Sequence, residues 1–163
     1  MAIKKASVYL IHGFIGSGKT TFSKALAKEK CAMRLNPDEL MITLHGNNPP
    51  ADQFGAYYDR VQALIWQLTA ELLAIDVPVI LDFGFWTKKS RQDAINRVIA
   101  LGGAPSLYSI ECDPKIMKER CLQRSQSLSG GDLYIDEAAF DKFYAMYEPL
   151  GDDEERIAVS AKR

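Results

Sequence analysis

The chain has 163 residues, with 20 lysines and arginines against 21 aspartates and glutamates and a net charge of −1. That length suits one domain with one core, buried without disulfides or a structural metal, and the balance of charge excludes a strong overall field for nucleic acid or an anionic membrane. Three cysteines, Cys31, Cys112 and Cys121, odd in number and without a Cys-x-x-Cys pair, argue against a disulfide framework or a zinc site and read as reduced core thiols.

Met1 to Ser7 runs directly into a first strand, and no apolar stretch approaches the roughly 18 residues of a membrane span, so the expected location is cytoplasmic with no membrane partner. Strand-like runs fall at Ser7–His12, Ala32–Leu35, Val77–Asp82, Ser106–Glu111 and Arg156–Val159. Helical patterns separate them, which is the alternation of a parallel sheet covered on both faces.

The first strand leads into Gly13-Phe14-Ile15-Gly16-Ser17-Gly18-Lys19-Thr20, a Gly-x-x-x-x-Gly-Lys-Thr pattern. Glycines let backbone N–H groups close around phosphate oxygens, Lys19 reaches the β- and γ-phosphates, and the Thr20 hydroxyl ligates Mg²⁺. Phe22, Ala25 and Leu26 follow at helical spacing, so a helix would aim its positive end at the phosphates. The expected ligands are therefore a nucleoside triphosphate and Mg²⁺, cradled by residues Gly13 through Thr21.

After the second strand comes Asn36-Pro37-Asp38, placed where an acceptor would meet the γ-phosphate. Asp38 is a candidate general base, able to take a proton from an attacking hydroxyl. It also suits the cap of a short helix, Glu39 to Leu44. The longest helix pattern spans about Asp52 to Ile75, with Phe54, Tyr57, Tyr58, Val61, Ile65, Leu68 and Leu72 on one apolar stripe. Trp66 lies off that stripe and is expected to cover a neighbouring loop.

Val79-Ile80-Leu81-Asp82 is a buried-strand pattern ending in a carboxylate, the form of a Walker B motif, which makes Asp82 a candidate for positioning Mg²⁺ and substrate. Beyond it, Lys88 and Arg91 fall on the side expected for the second substrate. A helix from cap Thr87 to Leu101 stops at Gly102-Gly103, and Asp113-Pro114 opens another that carries Arg120 and Arg124 on one face. Phosphoryl transfer spreads negative charge over equatorial oxygens, and these arginines are candidates to meet it. Loops are expected at His45–Ala51 and Ser125–Asp132. Leu128-Ser129-Gly130-Gly131-Asp132 resembles an ABC-transporter signature but follows Asp82 instead of preceding it, so it reads as a lid; no Asn-Lys-x-Asp guanine-reading motif occurs.

Taken together, Gly13–Thr20, Arg34-Leu35-Asn36-Pro37-Asp38-Glu39-Leu40, Val79–Trp86 with Arg91, and Glu111-Cys112-Asp113-Pro114 leading to Arg120 and Arg124 resemble the P-loop kinase-like group of polynucleotide kinases, zeta toxins and chloramphenicol phosphotransferase, often labelled AAA-type ATP-binding proteins. The resemblance implies a single three-layer α/β domain over 1–163, with a sheet ordered 2-3-1-4-5 and a small lid at about 120–135. It also implies Mg-ATP bound through Lys19 and Thr20, Asp38 as base, and Arg124 with Arg120 as lid arginines. Polynucleotide kinases carry an arginine three residues after the base; here that place is Met41, which disfavours a nucleic-acid acceptor. Only Ser160 to Arg163 follow the last strand, so the loop that often brackets adenine is short. The leading expectation is a kinase for a small-molecule hydroxyl held between Asp38 and the segment Phe83 to Arg91. The alternatives are a nucleotide-responsive regulator or toxin-like module with weak ATPase activity and, third, a nucleic-acid end kinase. The identity of the acceptor, ATP against GTP, and the oligomeric state stay open.

Overall fold

The computed structural model describes residues 5–127 and 134–160. Five strands, β1 (Ser7–His12), β2 (Met33–Leu35), β3 (Val79–Gly84), β4 (Ala104–Glu111) and β5 (Ile157–Ser160), form one parallel sheet ordered β2-β3-β1-β4-β5. The described helices are α1 (Lys19–Lys30), α2 (Pro37–His45), α3 (Ala51–Ala74), α4 (Lys88–Ala100), α5 (Pro114–Ser127) and α6 (Glu137–Tyr144). Fold class and strand order are those expected from the resemblance.

Alternation along the central strands sorts their side chains onto two faces. Val8 and Leu10 of β1, with Val79 and Leu81 of β3, join Val61, Ile65, Leu73, Ala94 and Val98 of α3 and α4 in the main core. Ile11 and Ile80 point the other way, onto Leu26 and Phe22 of α1. Asp82 shares the parity of Ile80, and so emerges on the α1 side. Between Leu10 and His12 the β1–β3 register shifts, pairing His12 with Gly84. The Gly84 carbonyl then accepts from Gly13 N at 3.2 Å, which pins the start of the phosphate loop to the end of β3.

Several expectations shift. The cap of α2 is Asn36, whose side chain accepts from Glu39 N at 2.9 Å, so Asp38 sits in the first turn and is not the cap. β3 continues two residues past Asp82. Ser125 to Ser127 belong to α5, and the rest of the Ser/Gly-rich segment that reads as a lid, 128–133, lies outside the described residues, as do 161–163. Cys31 is exposed, because it ends α1 in a left-handed conformation at φ 49; Cys121 is buried and Cys112 half-buried. Trp66 is buried, packed edge-on to Phe83 and beneath the Arg97 guanidinium of α4 at 4.6 Å, a cation–π contact between helices and not the cover of a loop. Helix α6 is new, although Phe140, Phe143, Tyr144 and Tyr147 recur at i, i+3, i+4 and i+7 behind Asp136, which caps it through Ala139 N at 2.7 Å.

Candidate active site

The phosphate loop joins β1 to α1 and is held from beneath. Phe14 is fully buried, its ring 4.9 Å from Trp86, 5.2 Å from Phe140, 5.1 Å from Tyr144 and 5.3 Å from Tyr147, so the side chain anchors a loop whose backbone is offered outward. Gly16 has φ 80, and a Cβ there would run into the Met117 carbonyl of α5. Gly18, at φ 98, is the left-handed N-cap of α1, and a Cβ on it would meet nothing within 4 Å. The loop is therefore packed against α5 at Gly16 and open at Gly18, beside the free N–H groups of the helix. The Ser17 hydroxyl is buried with no hydrogen-bond partner among the described residues.

Lys19 is half-buried and donates Nζ to the Phe14 carbonyl at 2.9 Å. Burial lowers its pKa, the carboxylates of Asp82 and Asp38 oppose that, and the Arg124 guanidinium adds to it. These four side chains, drawn from α1, β3, α2 and α5, thus share one electrostatic neighbourhood. Thr20 and Thr21 are exposed on the first turn of α1. Arg120 donates to the Gly16 carbonyl at 3.4 Å and approaches Cys112 Sγ at 3.9 Å, so it braces the phosphate loop, while Arg124 sits exposed in the last turn of α5.

Asp82 is buried, and its Oδ2 accepts from Ser23 Oγ at 2.7 Å and from Arg34 at 2.8 and 3.1 Å. Its Oδ1 has no partner among the described residues. Arg34 also forks onto Glu39 at 2.8 and 3.0 Å, and those bonds hold the Glu39 carboxyl below the usual range. Ser23, Arg34 and Glu39 went unread as site residues; the resemblance segment contains the last two, but Arg34 meets Asp82 across 48 positions of chain and Ser23 across 59. Tyr58 of α3 was read only as core. Burial first, then the charge of Asp38, holds its phenol above the ordinary range.

Arg91 is corrected. It is wholly buried, forked onto Glu154 and bonded to the Phe85 and Glu148 carbonyls, so it faces the interior and not a second substrate. Lys88 is exposed and pairs with Asp153 at 2.7 Å. His12 was passed over, yet it lies directly behind the loop. Its Nδ1 meets the carbonyls of Gly84 and Phe85 at 3.2 and 3.1 Å, which can only accept, so the proton is on Nδ1 and Nε2 accepts from the Tyr147 hydroxyl at 2.9 Å.

A single carboxylate and a hydroxyl suit Mg²⁺ carried on nucleotide phosphates, which takes one or two protein ligands and keeps waters. Asp82 Oδ1, a buried acceptor lacking a donor, fits that role. No cluster of three or more metal-ligating side chains occurs among the described residues, so the protein alone offers no cage.

The family model described as AAA domain matches residues 8–150. The chain belongs to that family. Among curated proteins none matches this chain significantly. Three solved structures share its fold. A candidate kinase from Chloroflexus aurantiacus superposes with a TM-score of 0.75 at 17% identity, over 96% of this chain and 89% of the other. A chain of the Pnkp1/Rnl/Hen1 RNA repair complex gives 0.72 at 19% identity, over 89% of this chain but 45% of that one. The APS kinase CysC of Mycobacterium tuberculosis, in complex with AMPPNP and APS, gives 0.66 at 12% identity, over 99% and 91%. The chain shares the fold of these kinases. No described helix is long and apolar enough to cross a membrane.

Proposed function

We propose that the protein binds Mg-ATP and transfers the γ-phosphoryl group to a hydroxyl of a small molecule. The observation that carries this reading is the shared electrostatic neighbourhood of Lys19, Asp82, Asp38 and Arg124, with Asp38 on the first turn of α2 and Asp82 Oδ1 left without a donor. The backbone of Gly13 to Thr21 would hold the phosphates, Lys19 the β- and γ-phosphates, and Thr20 and Asp82 the cation. Bound Mg²⁺ supplies neutralisation of charge on the phosphate oxygens.

In the transfer, the acceptor oxygen forms a bond to the γ-phosphorus as the bond to the bridging oxygen breaks, ADP leaves, and the acceptor's proton passes to the Asp38 carboxylate. Arg124 would meet charge on the transferring group, with Arg120 steadying the Gly16 carbonyl. Two features favour a small acceptor over a nucleic-acid end. The net charge is −1, and Met41 is fully buried in the main core, where a phosphate-binding arginine would not be tolerated. Among structures sharing the fold, the APS kinase supports a small acceptor and the chain of the RNA repair complex supports a nucleic-acid one.

The test is ³¹P NMR of the protein with Mg-ATP and pooled metabolites, beside an Asp38→Asn control. A new phosphoester resonance absent from the control is expected. Release of ADP and inorganic phosphate alone, or no turnover, would instead support a nucleotide-responsive regulator.

A further inference from the structure

A buried polar atom normally has a hydrogen-bond partner. One oxygen of Asp82 has none among the described residues. All three of its side-chain hydrogen bonds, from Ser23 Oγ, Arg34 Nη2 and Arg34 Nε, converge on Oδ2, while Oδ1 is buried and bare among the described residues. Two of those three come from one guanidinium, whose Nε also donates to Ser23 Oγ at 2.7 Å and whose outer edge is forked onto Glu39. Glu39 follows Asp38 directly on α2. Arg34 therefore stands between the helix that carries the candidate base and the carboxylate expected at the cation, itself only 10% exposed.

We propose that Arg34, clamped by Glu39, is a positioning residue: it locks the Asp82 carboxylate so that Oδ1 alone is left for the nucleotide-borne cation, and it ties α2 to that carboxylate. This rests on the Mg-ATP reading above. A guanidinium has the fixed planar fork that such a lock needs, and an ammonium does not. Coulomb's law taken alone gives the opposite expectation, because a positive charge beside a metal-binding carboxylate repels the metal. Orientation and charge thus predict opposite signs for the same substitution.

The experiment is a Mg²⁺ titration of a fluorescent ATP analogue bound to the full chain, for wild type, Arg34→Met, Arg34→Lys and Glu39→Gln, with Mg²⁺-free nucleotide affinity and melting temperature measured in parallel. Removing an outer-shell partner of a metal ligand typically weakens the metal by about 10- to 100-fold. The Mg²⁺ half-saturation point of Arg34→Met is expected to rise by about that factor. Arg34→Lys should fail to rescue it, and Mg²⁺-free affinity should hold. Glu39→Gln keeps one acceptor oxygen on a half-exposed side chain, so it should fold and shift the midpoint the same way by less. Unchanged or tighter Mg²⁺ binding in the folded variants, or rescue by lysine, would overturn the positioning role. A wild-type protein that binds the analogue with no Mg²⁺ dependence would overturn the Mg-ATP reading itself and the inference with it.

Discussion

The wholly buried Arg91 guanidinium donates Nε and Nη2 to the two carboxylate oxygens of Glu154 at 2.7 and 2.8 Å, which fastens the segment after α6 to the start of α4. Its remaining arm bonds the carbonyls of Phe85 and Glu148 at 3.1 and 3.0 Å, so every side of the charge is satisfied. Removing Glu154 would strand a charge in the interior. Glu154→Ala is expected to cost about 3–5 kcal/mol in urea unfolding, as breaking a buried pair does, while phosphotransfer per folded molecule stays near wild type. A loss under about 1 kcal/mol would show that solvent replaces the carboxylate.

Acid should act on the fold in two windows. Burial, with the charge of Arg91 adding to it, lowers the His12 pKa from 6.5 to about 4. The unfolded chain then binds a proton that the folded one refuses, so stability falls as pH drops from 6.5 towards 4, by about 3 kcal/mol. Its hydrogen bonds from Arg91 lower Glu154 from 4.5 to about 2, so that pair's contribution is present above pH 4.5 and is lost as pH falls through 2. Urea unfolding at a series of pH values should show both slopes. His12→Asn should abolish the upper one alone.

Phe14 makes the phosphate loop depend on α6. Deleting its ring leaves a cavity among Trp86, Phe140, Tyr144 and Tyr147. Phe14→Ala should cost about 3–5 kcal/mol and also weaken nucleotide binding, because the loop loses its anchor. Calorimetric titration with Mg-ATP, under conditions where the variant is still folded, separates the two effects; unchanged affinity would mean that the loop is held by its hydrogen bonds alone.

Asp38 and Lys19 should separate kinetically. Asp38→Asn removes the proton acceptor and is expected to lower kcat by about 10²- to 10⁴-fold with Mg-ATP affinity little changed. Lys19→Ala removes the charge aimed at the phosphates and should impair both binding and turnover. Steady-state kinetics with the acceptor found by NMR decide it, and an active Asp38→Asn protein would return Asp38 to a surface role.

Gly16 and Gly18 both lie at positive φ, but only Gly16 has backbone packed where a Cβ would go. Gly16→Ala should therefore lower the melting temperature more than Gly18→Ala, since it must push α5 away at Met117 in addition to straining the turn. Equal losses would show that the turn, and not the packing, sets the cost.

The local chemistry of the chain was legible because it is written in consecutive residues. Gly13 to Thr20 announces a phosphate loop, Val79 to Asp82 a buried strand with a carboxylate, and Thr87 a helix cap, which the structure completes with Ser90 in a capping box. Periodicity 2 and 3.6 then suffices to read an alternating α/β chain. The stripe of α6 was equally present and was missed, since the residues before it read as loop.

Distant pairing was not legible. Sequence alone put Arg91 on the second-substrate side, set Arg34 in a resemblance segment without a role and left Glu154 unread, because an arginine reads the same whether it faces a phosphate, a carboxylate or solvent. The folded sheet gives each its meaning: parallel strands bring Arg34 on β2 beside Asp82 on β3, and the turn after β3 buries Arg91 under the returning segment that carries Glu154. A motif depends on backbone conformation within a few residues, which local sterics decide, whereas the partner of a buried charge depends on which chain segments exclude water around it, and that is settled only when the whole core closes.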